Sequence, residues 1–366
     1  MKPSPTPKLP VEDEAFIHQL PKVELHIHIE GTLTPSLRWT LALKNNIPLA
    51  YGTYEDLLKS YNVTYNHRKE VNGDNGMPTF FEAYYGGMSV LRDEADFFDL
   101  AMEYFTKAAE MNVRYCEPFF DIQAHTRRGV PVEAVMNGLQ RARKKASEDL
   151  NVRSNWTLCF LRDMSPQSAK EHYEACRPYQ KTVFHAIGLD SNEYDRPPTL
   201  FDEIFTLAKH DGLHVTAHCD VGQKDTHEHI EQCLTVLCNG AGLQRLDHGL
   251  NAAEKPELIK LIKERGVGMT LVPHAYHRRL PTEAVFSKVR QLFDSGIPIT
   301  ISSDDPTYMH HMWVEDNLKC VRKFSNFSFE ELFQLEINAV NICWADAETK
   351  AALHTELSDF MESWRH

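Results

Sequence analysis

Residues 22–33 read KVELHIHIEGTL. The strict alternation predicts a strand, because successive side chains of an extended chain point to opposite faces. Val23, Leu25, Ile27 and Ile29 share one face, and Glu24, His26, His28 and Glu30 share the other. The aliphatic face demands burial. That leaves two readings of the polar face: the outside of an edge strand, or the inside of a barrel where His26 and His28 reach one metal ion. Neutral imidazole is the commonest protein ligand for zinc, and two of them at i, i+2 on a strand stand side by side.

Downstream, short apolar runs alternate with helix-length segments. The runs are 113–120, 156–161, 183–189, 213–219, 244–249, 267–272 and 297–303; helices are expected at 131–149, 166–176, 199–211, 227–239, 254–265 and 283–295. With the opening strand this makes eight strands. Strand–helix alternation implies parallel strands, and eight such units predict an α/β fold, a closed (β/α)8 TIM barrel of the metal-dependent hydrolase type. Extra helices are expected at 35–45, 79–91 and 96–111, around a polar, loop-rich stretch at 51–78, and again near the C-terminus at 329–344. The expected organisation is therefore a disordered N-terminal arm (1–16) and a single metallohydrolase domain (17–366) with a helical insertion at about 35–112.

Composition narrows the function classes. The chain has 366 residues and a formal charge of −13, which argues against nucleic acid or an anionic membrane as partner. The Pro-rich, then acidic first residues lack the apolar core of a signal peptide. The eight cysteines show no paired spacing and no CxxC, which points to reduced, buried thiols and a cytoplasmic or nuclear location, and away from a cysteine zinc site. The expected partner is a small molecule. The residues set no oligomeric state.

Polar residues fall at nearly every expected strand end: Glu117 and Asp121, Asp190, His218 and Asp220, Asp247 and His248, His274, Asp304 and Asp305. One such residue is ordinarily a helix cap; a full set on the C-terminal face of a barrel is the position of an active site. His26, His28, His218 and Asp304 then form a mononuclear site with N and O ligands, open to water, as in catalytic zinc centres. One Zn²⁺ per chain is expected, although iron or manganese also suits such ligands. The metal lowers the pKa of its water. His248 is placed to hold that water and move its proton. Asp305, adjacent to Asp304, diverges from the metal and is better placed to meet a substrate.

The segments VELHIHIEGTL, FFDIQAHTRRGV, GLDSNE, TAHCD, LDHG and SSDDP together resemble the adenosine/adenine deaminase family of the amidohydrolase superfamily over nearly the whole chain. HIEGTL and FFDIQAHTRRGV are more similar to the adenine deaminases. The resemblance implies zinc ligation by His26, His28, His218 and Asp304, water orientation by His248, and purine contact by Asp305. It also implies that Asp190 and Ser191 meet the base edge, and that Glu30 lines the pocket. The reaction implied is hydrolytic deamination, in which metal-activated hydroxide attacks C6 of adenine or a related 6-aminopurine (free base or nucleoside) and ammonia leaves.

Two departures stand out. After the strand-end histidine the family carries Ala-Gly-Glu, whose glutamate protonates a purine ring nitrogen; here the residues are Cys219, Asp220 and Val221. Valine donates no proton, so Asp220 or Glu228 is the expected substitute. Further on, the family's Pro-x-Ser-Asn becomes Pro273-His274-Ala275-Tyr276, followed by His277, Arg278 and Arg279. His274 is expected to reach the substrate, and the arginines either recognise an acidic substituent or, in the slightly favoured reading, lie on a solvated loop.

Two other function classes compete. One is a metal-dependent hydrolase of the same fold with a different substrate: an N6-substituted purine, a nucleotide or a non-purine amide. The other is a catalytically silent purine or partner binder, which has no need of the intact ligand set. The cytidine-deaminase type is excluded, since it requires Pro-Cys-x-x-Cys.

Overall fold

A computed structural model describes residues 6–63 and 79–365. The described residues form ten strands, β1 (Lys22–Glu24), β2 (Val113–Cys116), β3 (Phe119–Phe120), β4 (Arg153–Ser154), β5 (Trp156–Leu161), β6 (Phe184–Asp190), β7 (His214–Cys219), β8 (Arg245–His248), β9 (Gly268–Leu271) and β10 (Ile299–Ile301), with helices between all successive strands except β2–β3 and β4–β5. All pairings between them are parallel. Between the strands lie helices Val132–Asp149, Pro166–Cys176, Asp202–His210, Thr226–Thr235, Pro256–Arg265 and Thr282–Asp294. Local chemistry explains several ends. Ser165 caps the helix that Pro166 opens, with proline at the one position where a missing N–H costs nothing. Gly266, at φ +64°, stops another in a left-handed turn.

The fold is α/β and TIM-barrel-like, but the expected closed eight-stranded ladder is not what the regular sheet forms. Seven strands make an open arc in the order β10-β9-β8-β7-β6-β5-β3, and β1-β2-β4 form a separate sheet. The gap is spanned by single bridges, Ile27 to Asp304 and His28 to Phe119. Two residues interrupt the ladder. Pro118, which has no N–H to donate, sits between β2 and β3. Glu24 turns inward, where its carboxylate accepts the Ser303 N–H and hydroxyl and the Tyr104 hydroxyl. A side chain thus occupies a place that a ladder carbonyl would otherwise take.

The expected arm over 1–16 is corrected at 11–16, while 6–10 form no regular element. Val11–Gln19 is a helix that buries Phe16 and Ile17. Phe16 stacks on Phe329 at 4.4 Å between ring centroids and meets Trp364 edge-on at 5.2 Å. Pro-rich composition was misleading here, because the apolar Phe16-Ile17 pair needs cover. The 51–78 stretch, expected as loop, contains a helix at Tyr54–Ser60, and its part from 64 to 78 lies outside the described residues. The remaining insertion is helical as expected, with Pro35–Lys44, Phe80–Gly87 and Glu94–Glu110. One hydrophobic cluster runs from Phe16 to Met361. No helix among the described residues is long and apolar enough to cross a membrane.

Candidate active site

Regular strand covers only Lys22–Glu24, extended by single bridges at Ile27 and His28, and Glu30 opens a short 3-10 turn; the aliphatic and the polar residues from Val23 to Glu30 are all buried. His26 and His28 sit on backbone bonded on both sides. Asp304 N–H donates to His26 O at 3.0 Å, His28 N–H to Asp304 O at 3.1 Å, and Phe119 N–H to Ile27 O at 2.8 Å. His218 arrives from the end of β7 and Asp304 from just beyond β10. The four side chains converge. His28 Nε2 lies 3.0 Å from His218 Nε2, while Asp304 Oδ1 lies 3.4 Å from His26 Nε2 and 3.6 Å from His28 Nε2.

Neighbours fix which imidazole nitrogen is free. Thr270 gives its hydroxyl proton to Asp247 Oδ1 at 2.8 Å, so it accepts from His26 Nδ1 at 2.9 Å. His26 Nε2 is then a bare lone pair, and it has no hydrogen-bond partner. Asp190 Oδ2 stands 3.5 Å from His28 Nδ1, and Asp247 Oδ2 stands 3.8 Å from His218 Nδ1. A carboxylate behind each ring is how metal-binding histidines are oriented. Burial, with neighbouring histidines, pushes His218 well below its usual range, and burial pushes His28 down to about 3. With the proton of each ring on Nδ1, toward its carboxylate, the Nε2 lone pairs of His28 and His218 face each other at 3.0 Å. A cation between them resolves the arrangement, so the donor set fits a metal.

His248 joins this group, its ring centroid 4.6 Å from that of His26 and its Nδ1 3.1 Å from the Tyr276 hydroxyl. His248 and Asp304 both have left-handed backbones, at φ +63° and +68°, the kind of strain that concentrates at functional sites. Gly31 explains the glycine of HIEGTL: a Cβ there would lie 2.1 Å from Asp305 Oδ1.

A cavity of about 740 Å³ opens over the cluster. Asp190, Ser191, Asp220 and Asp305 line it, as do Phe80, Tyr84 and Tyr85 from the insertion. Burial, then the adjacent Asp304 carboxylate, pushes Asp305 well above the carboxylate range. A dication on Asp304 would remove the second cause and leave the first. Burial and Asp121 do the same to Asp190, which shares a side-chain hydrogen bond with Asp121. Asp121 itself is pushed up to about 7, and Tyr84 donates its hydroxyl to it at 2.9 Å.

Three predicted residues stand elsewhere. Glu228 is exposed on helix Thr226–Thr235 and accepts from Gln232, away from the cavity. His274 is buried but faces His310 at 3.2 Å and does not line the cavity. Glu30 lies behind Asp121, whose N–H it accepts at 3.0 Å, and meets His125 Nε2 at 2.7 Å. Burial raises Glu30 to about 7 and lowers His125 to about 3, so this contact is a neutral hydrogen bond rather than an ion pair.

For the two arginines the less favoured expectation is the one the structure bears out. Arg278 and Arg279 line the cavity rather than a solvated loop, and Arg279 Nη2 donates to Asp220 Oδ1 at 2.7 Å. Burial works to raise Asp220, but the Arg279 and His248 charges outweigh it and hold the carboxyl below its usual range. Asp220 is thus an ionised partner, 3.9 Å from His248 Nδ1, and not a standing proton donor. Glu193, from the quoted GLDSNE segment, also lines the cavity; the strand-end rule missed it because it lies three residues beyond β6.

Imidazoles and a carboxylate gathered at the C-terminal strand ends of a TIM-barrel-like α/β fold are the architecture of an amidohydrolase-type enzyme. Comparison with known proteins narrows the class. Residues 21–360 match the family model described as adenosine deaminase. The chain is 39% identical over 351 residues to an uncharacterized deaminase of Schizosaccharomyces pombe, covering 96% of this chain and 98% of that one. It is 36% identical to an adenine deaminase of Acinetobacter baylyi, covering 92% and 96% of the two chains. The crystal structure of an adenine deaminase from Arthrobacter aurescens superposes with a TM-score of 0.84 at 32% identity, covering 94% of this chain and 99% of that one. The chain belongs to the adenosine deaminase family and is a hydrolytic deaminase.

Proposed function

We propose that this protein is a zinc-dependent aminohydrolase that deaminates adenine or a closely related 6-aminopurine. The observation that carries the reading is the convergence of His26 Nε2, His28 Nε2, His218 Nε2 and Asp304 Oδ1 beneath a cavity lined by raised carboxyls. The similarity to named adenine deaminases supports the substrate. The single apolar cluster supports one domain over 17–366. Eight free, buried cysteines are in keeping with work in a reducing cytoplasm.

His26, His28, His218 and Asp304 would hold the metal, which when bound supplies a water of lowered pKa. His248 takes the proton of the attacking water. The Asp220 carboxylate, 3.9 Å away, stabilises the resulting imidazolium and is the route by which the proton returns to the purine. Protonated Asp305 donates a hydrogen bond to a ring nitrogen, as a carboxylic acid kept neutral by burial can, and Asp190 stands behind His28 at the cavity wall. Ser191 borders the base edge, and Glu30 supports Asp121 from behind.

The test is an ammonia-release screen over adenine, adenosine, AMP and N6-substituted purines, together with metal analysis. About one zinc per chain and ammonia from adenine are expected. Bound metal with ammonia only from another substrate, or from none, transfers the reading to a hydrolase of the same fold with a different substrate. Iron or manganese in place of zinc corrects the metal.

A further inference from the structure

Two buried charges beside the site have no part in the chemistry above. Arg162 is fully buried, and Glu193 is 1% exposed. A charge in the core is costly unless it is paired and hydrogen-bonded, and these two pair with each other: Arg162 Nη1 stands 2.7 Å from Glu193 Oε2. Their remaining atoms reach the turn after β7. Arg162 Nη2 donates to the carbonyl of His218 at 2.8 Å, and Glu193 Oε1 accepts the N–H of Asp220 at 2.7 Å. The pair thus grips the backbone on both sides of Cys219. It is anchored in turn, since Arg162 N–H donates to Asp190 O at 2.9 Å and Arg196 Nε donates to Arg162 O at 2.7 Å. His229 Nδ1 approaches Glu193 Oε2 at 3.8 Å from helix Thr226–Thr235.

We propose that Arg162 and Glu193 are a positioning pair: by clamping the His218 carbonyl and the Asp220 amide, they aim the His218 imidazole at the metal centre and the Asp220 carboxylate at His248. This rests on the metal-centre reading given above. It gives the buried ion pair a task beyond stability, and it explains why a turn with an altered sequence, Cys219-Asp220-Val221, still presents two functional side chains in register. The guanidinium is suited to the task because its planar fork addresses a carboxylate and a carbonyl at once.

The experiment measures zinc affinity by chelator competition on stripped protein, alongside thermal unfolding and ammonia release, for Glu193→Gln, Arg162→Lys and Arg162→Met. Glutamine keeps the shape of glutamate and an acceptor for the Asp220 amide, so Glu193→Gln carries the test if Arg162→Met does not fold. Zinc affinity is expected to fall by about 10–100-fold in Glu193→Gln, the range seen when an outer partner of a metal ligand is lost. At saturating zinc kcat falls with KM little changed, because the loss is of orientation rather than of substrate contact. Arg162→Lys recovers part of the affinity, since one ammonium replaces one of the two bonds. A purely structural ion pair lowers the unfolding temperature alone: wild-type zinc affinity in both Glu193→Gln and Arg162→Lys overturns the proposal. The affinity readout needs no purine, so weaker zinc binding in the variants of a chain that releases no ammonia supports the pair and overturns only the substrate reading.

Discussion

At the ends of β1 and β10 the ligand candidates hang from backbone that is hydrogen-bonded on both sides, whereas Asp220, one residue beyond β7, is held mainly by side chains. His28 N–H and His26 O both bond to Asp304. Around Asp220 the contacts come instead from Arg279, Glu193 and the N–H of Val221. The difference teaches how such a site divides its labour. Ligand geometry tolerates errors of a few tenths of an ångström, and paired strands supply that rigidity. Proton handling depends on charge, and side chains at a cavity wall can be exchanged without disturbing a ladder.

The largest effect belongs to the rigid region. His26→Ala should lose the metal and at least about 10³-fold in kcat, the several kcal/mol a metal ion contributes. A variant that keeps its zinc by elemental analysis would remove the β1 end from the metal centre. Next comes the turn. Asp220→Asn should retain zinc yet lose about 10²-fold in kcat, the low end for a proton-transfer group; undiminished ammonia release by this variant would mean that the charge facing His248 moves no proton.

The rigid region has a titrating weak point in Glu30. Its folded pKa is raised from 4.5 to about 7, so the stability tied to its protonated form is complete below about pH 4.5 and is lost as pH rises through 7. Glu30→Gln, permanently neutral, should flatten the fall in stability between pH 5 and pH 8 by on the order of 3 kcal/mol at most. Urea unfolding at the two pH values checks it, and an unchanged difference would show that Glu30 is ionised in the folded state. The smallest effect is expected at Glu228, which accepts from Gln232 on an exposed face. Glu228→Gln should change neither kcat nor stability by more than about 0.5 kcal/mol, and a large loss of kcat would return Glu228 to the list of proton carriers.

Much of the candidate site could be read from residue order. His26 and His28 were found from period-2 alternation, and His218, His248 and Asp304 from their places at strand ends. That logic works because a parallel α/β fold places every strand end on one face. It failed wherever the answer depended on distance across the fold. Helical spacing could not show that Glu228 faces solvent. The short helix Pro273–His277 turns His274 toward His310 and leaves Arg279 facing Asp220, a rotation no linear spacing encodes. Arg162 and Glu193 lie 31 residues apart in sequence and meet only because β5 and β6 are neighbours. Proline content hides the helix at the opening of the chain, because the partners of Phe16, Phe329 and Trp364, lie at the far end of the sequence.

The sequence by itself determined the α/β alternation and the residue types of the candidate ligand set, because hydrophobic period and side-chain chemistry are local properties of the chain. Only the tertiary structure decided that the regular ladder stays open with single bridges at Ile27 and His28. It also decided that Asp220 is an ionised partner of Arg279, and that a buried ion pair holds the turn between His218 and Asp220. Those outcomes depend on charge, burial and hydrogen bonding between segments far apart in sequence, and such terms take a value only once the chain has folded.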